Sequence, residues 1–221
     1  MNRTKIEWTD MTWNPIKGLC PMGCWYCYAR RFYKRFGWNP EIRLDEKELL
    51  KPLNLEKPKK IFVCSTIELF HPDIPKDYRD SVFEIIERTP QHTYQVLTKL
   101  PAFVDREMPT NVWLGASLEC LEYPDILRIL YLVRDCNAKI KFISLEPWLD
   151  YSIRHLRILS LIDWLIIGGI TGVKGDQPTK EQIAKVVEIA HENNIPVFIK
   201  DNLADIWGEP LIREFPKTIR R

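Results

Sequence analysis

The sequence lacks any segment that would direct a chain into or across a membrane. Residues 1–5 contain no apolar signal region, and the longest apolar run, at residues 164–170, is far too short to span a bilayer. Low-complexity runs are absent as well, so we expect no long disordered region. These absences predict a soluble, cytoplasmic protein with no membrane partner.

The chain also lacks a strong excess of charge of either sign. Its 32 Lys and Arg residues against 30 Asp and Glu residues give a net charge of +2, which neither supports nor excludes a nucleic-acid partner. With 221 residues, 45% of them hydrophobic, the chain is large enough for one domain with a full core, and we assign residues 1–221 to it. Six cysteines, three of them clustered, indicate a reducing compartment rather than a disulfide framework.

The clustered cysteines are Cys20, Cys24 and Cys27, at the spacing C-x3-C-x2-C. Three thiolates on one loop can hold three irons of a [4Fe–4S] cluster, which leaves the fourth iron open to a substrate or cofactor. Pro21 and Gly23 supply the turn geometry that such a loop requires. The alternatives are a zinc knuckle or three unrelated thiols. Zinc sites usually have four ligands in C-x2-4-C pairs, and no further Cys or His ligand follows nearby.

Beyond this loop, apolar runs of strand length alternate with helical patterns, which predicts βα units and a parallel sheet. Seven strands are predicted, at residues 11–14, 60–65, 93–98, 112–118, 140–145, 163–169 and 197–200. Helices are predicted at residues 25–36, 45–50, 73–88, 102–107, 124–135, 152–159 and 180–193. The fold class is therefore α/β.

Polar residues and glycines stand at six of the predicted strand ends. In parallel sheets of this kind the active site lies at the C-terminal ends of the strands. The residues there are Ser65, Lys99, Ser117 with Glu119, Ser144 with Glu146, Gly168 with Gly169, and Lys200 with Asp201. One such serine alone could be a turn residue, but six clusters facing one mouth indicate a binding site.

The cysteine motif, with Tyr26 just before its third cysteine, is similar to the cluster motif of the radical S-adenosylmethionine (radical SAM) superfamily. Almost the whole chain resembles a phage-associated family of radical-SAM-like proteins. The segments that carry this resemblance are KIEWTD at 5–10, TWNP at 12–15, LF at 69–70, LTK at 97–99, WLGASLE at 113–119, SLEP at 144–147 and GG at 168–169. Many members of that family have a longer gap between the first two cysteines, and many have Glu at the position of Ile170.

This resemblance implies a partial (β/α)6–7 TIM-type barrel and an enzyme that uses a [4Fe–4S] cluster and S-adenosylmethionine (SAM). In the superfamily the open iron chelates the amino and carboxylate groups of SAM. The reduced cluster then cleaves SAM to methionine and a 5′-deoxyadenosyl radical, which abstracts hydrogen from a substrate. An electron donor such as a flavodoxin or ferredoxin is an expected partner. The subclass of enzyme is left open.

Four strand-end residues have the chemistry that SAM requires. Lys99 suits the SAM carboxylate because it is a compact charge. Ser65 and Ser117 could bind the amine and ribose, and Glu119 could accept hydrogen bonds from the ribose hydroxyls. This Ser–Lys–Ser pattern on the second, third and fourth predicted strands resembles the spore photoproduct lyases.

Other residues at this edge are candidates for the cofactor or the substrate. Gly168 and Gly169 would allow close backbone approach to the adenine or the methionine end of SAM. The candidates for substrate contact are Glu68, Glu146, Lys200 and Asp201. The substrate is not identified by the sequence, and a nucleic acid or nucleotide is one candidate.

Cys64 is a candidate catalytic residue on the same resemblance. In spore photoproduct lyases a cysteine just before the corresponding serine returns a hydrogen atom to the product radical. Strand alternation argues against this role, because a Ser65 that points into the barrel would turn Cys64 toward the helices. The alternative function for the whole protein is a non-catalytic iron–sulfur or zinc-binding module that keeps the fold. The Ser65, Lys99 and Ser117 set favours the enzyme.

Overall fold

The structure, a computed structural model, describes residues 1–152 and 154–217. The strands are β1 (Asn2–Arg3), β2 (Met11–Trp13), β3 (Ile16–Lys17), β4 (Arg43–Leu44), β5 (Lys60–Val63), β6 (Thr93–Thr98), β7 (Val112–Cys120), β8 (Ile140–Asp150), β9 (Trp164–Ile167) and β10 (Val197–Ile199). The main feature is an eight-stranded sheet in the order β1-β2-β5-β6-β7-β8-β9-β10, and β3 pairs with β4 in a separate two-stranded sheet.

Helices connect most of the strands. The α-helices are α1 (Tyr28–Phe36), α2 (Glu46–Leu49), α3 (Lys76–Arg88), α4 (Asp125–Asp135), α5 (Lys180–Glu192) and α6 (Ala204–Trp207). Single-turn or short 3₁₀ segments lie at Lys51–Asn54, Pro101–Phe103, Leu156–Leu161 and Asp201–Leu203. None of the helices in the described ranges is long and apolar enough to cross a membrane.

Seven strands of the large sheet, β2 and β5 to β10, run parallel to their neighbours, and β1 alone pairs antiparallel, with β2 at one edge. The predicted α/β class and its parallel sheet are therefore confirmed. Over the described residues the two outermost strands, β1 and β10, are not paired with each other, so backbone hydrogen bonds do not close the sheet.

Four predicted helices differ from the structure. The helix predicted at 73–88 begins at Lys76, because Pro75 is its N-cap. The helix predicted from residue 25 begins at Tyr28, because residues 24–27 form a turn in which the Cys27 N–H donates to the Cys24 carbonyl at 3.2 Å. The helix predicted at 102–107 is only the 3₁₀ turn Pro101–Phe103. The helix predicted at 152–159, of which residue 153 lies outside the described residues, is the 3₁₀ segment Leu156–Leu161. Its buried Leu156 and Leu159 are three residues apart, the period of a 3₁₀ helix.

One face of the large sheet carries a compact group of buried side chains, mostly aromatic, that we call the apolar layer. Its members are Trp8, Phe62, Trp113, Ile140, Phe142, Trp164, Ile166 and Phe198. The ring of Trp8 lies 4.7 Å from that of Phe62 on β5 and 6.3 Å from that of Trp164 on β9. In a flat sheet four strand spacings would separate those two strands by roughly 19 Å. The sheet therefore curves around the apolar layer.

Gly115 on β7 shows how tightly this layer is packed. A Cβ atom at that position would lie 2.5 Å from the ring of Phe142 on β8, its neighbour in register. The absent side chain lets the Phe142 ring lie flat over β7, and the ring is fully buried. The opposite face of the sheet packs against the helices and forms the larger hydrophobic core.

Candidate functional site

A cavity of about 310 Å³ lies at the C-terminal ends of the parallel strands. Its volume falls at the lower end of the range of small-molecule sites. Alternate residues of a strand lie on the same face of the sheet. The face that carries the apolar layer therefore also carries the polar residues near the strand ends, and these residues line the cavity. The sequence-predicted residues that line it are Cys20, Cys24, Cys27, Tyr26, Cys64, Ser65, Glu68, Lys99, Ser117, Glu146, Gly169 and Lys200.

The cysteine loop forms one wall of this cavity. Cys20, Cys24 and Cys27 are free thiols that are partly exposed. The Sγ atom of Cys20 accepts a hydrogen bond from the Glu68 backbone N–H at 3.4 Å. Burial raises the pKa of the Cys20 thiol against the opposing effect of its backbone hydrogen bonds. Arg30 of α1 donates to the Cys20 carbonyl at 3.0 Å and so joins the loop to the helix that follows it.

The fit of these residues to an iron–sulfur cluster rests on donor chemistry. Within residues 1–152 and 154–217, no group of three or more His, Cys, Asp or Glu side chains is already arranged to hold a metal ion. The three thiols of the loop nevertheless line one cavity, and Cys20 accepts a backbone N–H bond of the kind that tunes cluster sulfurs. Cys120 and Cys136 do not line the cavity. Cluster binding by Cys20, Cys24 and Cys27 therefore fits the donor set and stays a prediction.

Three predicted cofactor residues contact one another at the ends of β6 and β7. The Nζ of Lys99 lies 2.5 Å from Oε1 of Glu119, and the Tyr26 hydroxyl donates to the same oxygen. The Lys99 ammonium also lies 5.5 Å from the centre of the Tyr26 ring. Burial acts to raise the pKa of Glu119, but the charge of Lys99, the hydrogen bonds from Lys99 and Tyr26 and the charge of Arg128 together hold that pKa below its usual value. Burial and Glu119 together raise the pKa of Tyr26.

The end of β7 is fixed by residues at the start of α4. Arg128 donates to the Ser117 carbonyl at 2.9 Å and pairs with Asp125 at 3.1 Å. Asp125 in turn accepts a hydrogen bond from the Glu119 backbone N–H at 2.7 Å. These contacts fix the positions of Ser117, which is buried and lines the cavity, and of Glu119, which does not line it but contacts Lys99 and Tyr26.

The backbone turns sharply after β5, at the position of Cys64. Cys64 has φ 52°, in the left-handed region that few non-glycine residues adopt, so strand alternation stops at Val63. The side chain of Cys64 belongs to the larger hydrophobic core, and burial raises the pKa of its thiol to about 12. The expectation that strand alternation places Cys64 and Ser65 on opposite faces therefore does not apply at this turn. Hydrogen-atom donation by Cys64 stays a prediction.

Ser65 is held by neighbours that differ from those of Cys64. Its hydroxyl donates to the Asn14 side-chain oxygen at 3.1 Å. The Tyr28 hydroxyl donates to the Ser65 carbonyl at 3.1 Å. Both Ser65 and Tyr28 line the cavity, so this corner brings the end of β5 next to the start of α1.

Glu68, which was predicted as a substrate contact, is buried at the edge of the cavity. Its Oε1 accepts from the Thr98 hydroxyl at 2.6 Å and from the Phe70 N–H at 3.2 Å, and its Oε2 accepts from the Lys99 N–H at 2.8 Å. Burial raises the pKa of this carboxyl. Because its oxygens accept from the protein itself, Glu68 ties the loop after β5 to the end of β6 and positions Lys99 and Cys20.

A second pair of charges joins β8 to the end of β10. Lys200 forms an ion pair with Glu146 at 2.5 Å and lies 3.8 Å from Glu7. Burial alone would lower the pKa of Lys200, but these carboxylates raise it above its usual value. A Cβ at Gly168 would lie 2.9 Å from Glu146 Cδ and 3.0 Å from Lys200 Cδ. The missing side chain at position 168 thus makes room for this ion pair.

Gly169 and Asp201 have partners within the protein. Asn202 accepts from the Gly169 N–H at 3.2 Å and donates to the Gly169 carbonyl at 2.8 Å, while the Gln177 side chain occupies the space beside Gly169. The carboxylate of Asp201 pairs with Arg213, and Asp201 lies outside the cavity lining. The predicted approach of SAM to Gly168 and Gly169 stays untested.

Four residues that support the site were not among the predicted site residues. Glu7 and Asn14 contact Lys200 and Ser65, and both fall within segments that carry the family resemblance, which was the available signal. Arg128 and Asn202 act through backbone carbonyls of neighbouring strands. No pattern in the sequence marks such contacts.

Comparison with known proteins gives one finding. No curated protein and no solved structure matches the chain. A family model described as protein of unknown function (DUF5131) matches residues 3–213, which include every residue of the cavity described above. The chain therefore belongs to the DUF5131 family.

Proposed function

We propose that this protein is a radical SAM enzyme. The observation that supports it most is that a C-x3-C-x2-C cysteine loop and the strand-end residues Lys99 and Ser117 line the same cavity. A metal site with a purely structural role would not require a lysine and a buried serine from two different strands beside the three thiols.

We also infer the finer fold, a partial (β/α) barrel of seven parallel strands. The contacts of Trp8 with rings on β5 and β9 support it. So does the Glu7–Lys200 contact, which joins the loop between β1 and β2 to the end of β10, at the opposite edge of the sheet. In barrels of this type the active site lies at the C-terminal ends of the strands, where the cavity is found.

In this proposal Cys20, Cys24 and Cys27 would hold a [4Fe–4S] cluster, and the expected electron donor is a flavodoxin or ferredoxin. Such a cluster would supply the electron for the cleavage of SAM to methionine and a 5′-deoxyadenosyl radical that takes hydrogen from a substrate. The protein's own residues bind and orient SAM. Lys99 binds the carboxylate of SAM.

The Lys99–Glu119 pair suggests how SAM is accommodated. Both Lys99 and Tyr26 now contact one oxygen of Glu119. A SAM carboxylate that takes Lys99 as its partner leaves Glu119 free to accept hydrogen bonds from the ribose hydroxyls. The Tyr26 hydroxyl remains bound to Glu119 and keeps that carboxylate oriented. Glu146 and Lys200 then form the charged side of the cavity that is available for the substrate.

The experiment is anaerobic reconstitution with iron and sulfide, followed by measurement of bound iron and of the cluster absorption. We expect about four irons per chain and an absorption change when SAM is added. Cys20→Ala, Cys24→Ala and Cys27→Ala should each lose the cluster. Cys120→Ala is the matched control, since Cys120 is also partly exposed but does not line the cavity, and it should retain full iron.

Two outcomes would contradict the proposal. Full iron in any of the three loop variants would show that the loop does not hold the cluster. Zinc binding, or an iron–sulfur cluster that does not respond to SAM, would instead support a non-catalytic binding module.

A further inference from the structure

Helix α1 differs from the other long helices in how little of it is buried. Of its nine residues only Ala29 is buried, whereas α3 and α5 each bury four. Large aromatic side chains on and after α1 are exposed instead. We call Tyr28, Phe32, Phe36 and Trp38 the aromatic row; their exposed fractions are 44%, 39%, 55% and 47%.

The members of the aromatic row contact one another in sequence. Ring centres are 5.8 Å apart between Tyr28 and Phe32 and 5.9 Å apart between Phe32 and Phe36. Phe36 and Trp38 are stacked, with ring centres 5.7 Å apart and 26° between the planes. Positions 28, 32 and 36 are four residues apart, so they lie on one face of the helix. A continuous exposed apolar surface of this kind marks an interaction site.

The charge of α1 indicates what that site binds. The helix contains Arg30, Arg31, Lys34 and Arg35 and no acidic residue. In the part of the chain that the structure describes, none of the four forms an ion pair with a carboxylate: Arg30 and Arg31 donate to backbone carbonyls, while Lys34 and Arg35 are exposed. Four uncompensated cations on a chain of net charge +2 favour a polyanionic partner.

The aromatic row is continuous with the cavity. Tyr28, its first member, lines the cavity and donates to the Ser65 carbonyl. From Tyr28 the row runs along α1 and ends at Trp38, where the chain is exposed. A ligand that follows the row therefore reaches the cavity at one end.

We propose that α1 and Trp38 bind a single-stranded nucleic acid, and that a nucleotide of that strand is the substrate of the cavity. Exposed rings stack on the faces of unpaired bases, and cations beside them contact the phosphates. Duplex bases are already stacked on one another and cannot use the row. The assignment of the substrate rests on the proposed function above, but binding to the row requires neither cluster nor SAM.

The test is fluorescence anisotropy of a labelled oligothymidylate of about 15 nucleotides, titrated with the full chain at several salt concentrations. Affinity should fall with salt, and Arg35→Gln, which removes the cation beside the Phe36 ring, should reduce the log–log slope by about 0.7, the contribution of one phosphate contact on a single strand. Phe36→Ala and Trp38→Ala should each weaken binding roughly 5- to 150-fold, the effect of losing one base stack, while the slope stays the same.

The matched control is the double variant Phe103→Ala, Arg134→Gln, which removes an exposed ring and an exposed cation far from α1 in the sequence. It should bind as the wild type does. Equal affinity for duplex and single strand, or equal binding by the α1 variants and the control, would overturn the proposal. So would a dimer that Trp38→Ala dissociates, because the row would then bind a second copy of the chain.

The two proposals fail in different ways. If the protein binds the oligonucleotide through the aromatic row but does not respond to SAM, the proposed enzyme and its substrate assignment are contradicted. The proposed nucleic-acid surface is then still supported. A protein that responds to SAM but binds no oligonucleotide overturns the nucleic-acid surface and the substrate assigned from it, and leaves the proposed SAM chemistry intact.

Discussion

The curved face of the sheet has two levels that are built by the same strands and yet have opposite chemistry. On β7, Trp113 lies in the apolar layer and Ser117 lies at the cavity four residues later. On β8 the same step leads from Phe142 to Glu146. The lower level is filled by tightly packed rings, whereas the upper level encloses a cavity between partly buried charges.

This difference separates residues that stabilise the fold from residues that we propose bind ligands. Packed rings lower the free energy of the folded state through burial and dispersion. Partly buried ion pairs such as Lys99–Glu119 and Lys200–Glu146 contribute little net stability, since desolvation offsets much of their attraction. Ion pairs on one level of a face whose other level is mostly apolar therefore support the proposed binding function.

The lower level should show the largest effect on stability. Phe142→Ala removes a fully buried ring that fills the space over Gly115, and it should lower the free energy of unfolding by about 3–5 kcal/mol. Phe103→Ala, at an exposed phenylalanine, should change it by about 0.5 kcal/mol or less. Denaturant unfolding measures both. Similar losses for the two variants would mean that the apolar layer is not a packed core.

Substitutions in the upper level should change ligand affinity rather than the free energy of unfolding. Lys99→Ala removes a charge-assisted hydrogen bond to the SAM carboxylate and should weaken SAM affinity by about 1.5–3 kcal/mol. Calorimetry on the reconstituted protein measures this affinity, and Lys185→Ala on the exposed face of α5 is the control. If SAM binds the Lys99 variant and the wild type equally well, Lys99 does not contact the cofactor.

The smallest effects concern two carboxylates of the upper level whose pKa values shift in opposite directions. Lys99 lowers the pKa of Glu119, so the stability that Glu119 contributes is present above the unfolded pKa of about 4.5 and is lost as pH falls through its folded pKa. Burial raises the pKa of Glu68, so its contribution is greatest below about pH 4.5 and is lost as pH rises through its folded pKa.

Urea unfolding from acid to neutral pH distinguishes the two. As pH falls below about 4.5, the stability of the wild type relative to Glu119→Gln should decrease. As pH rises above about 4.5, its stability relative to Glu68→Gln should decrease. Parallel pH profiles for both variants would show that the two carboxylates lie in similar environments.

Much of this comparison could be predicted from the sequence. The seven parallel strands follow from apolar runs of strand length, and the edge at which polar residues meet follows from their position after those runs. Thr93–Thr98 was predicted with the bounds that it has in the structure. The strands β1, β3 and β4 were missed because two residues are too few to show a period.

The contacts between strands could not be predicted. The Lys99–Glu119 and Glu146–Lys200 pairs depend on how far each side chain reaches across a cavity whose curvature the sequence does not specify. Gly168 was predicted to leave room for a cofactor, and in the structure it leaves room for an ion pair. The left-handed turn at Cys64 has no sequence signal, because glycine or asparagine would be the usual residue there.

The central claim, that this cavity cleaves SAM to a radical, is tested most directly by identifying the nucleoside product. The reconstituted protein is incubated anaerobically with SAM and a chemical reductant, and the products are separated by chromatography. We predict 5′-deoxyadenosine from the wild type and none from Cys24→Ala. A wild-type protein that carries a full reduced cluster and releases only methylthioadenosine or S-adenosylhomocysteine, or no nucleoside at all, would contradict the claim.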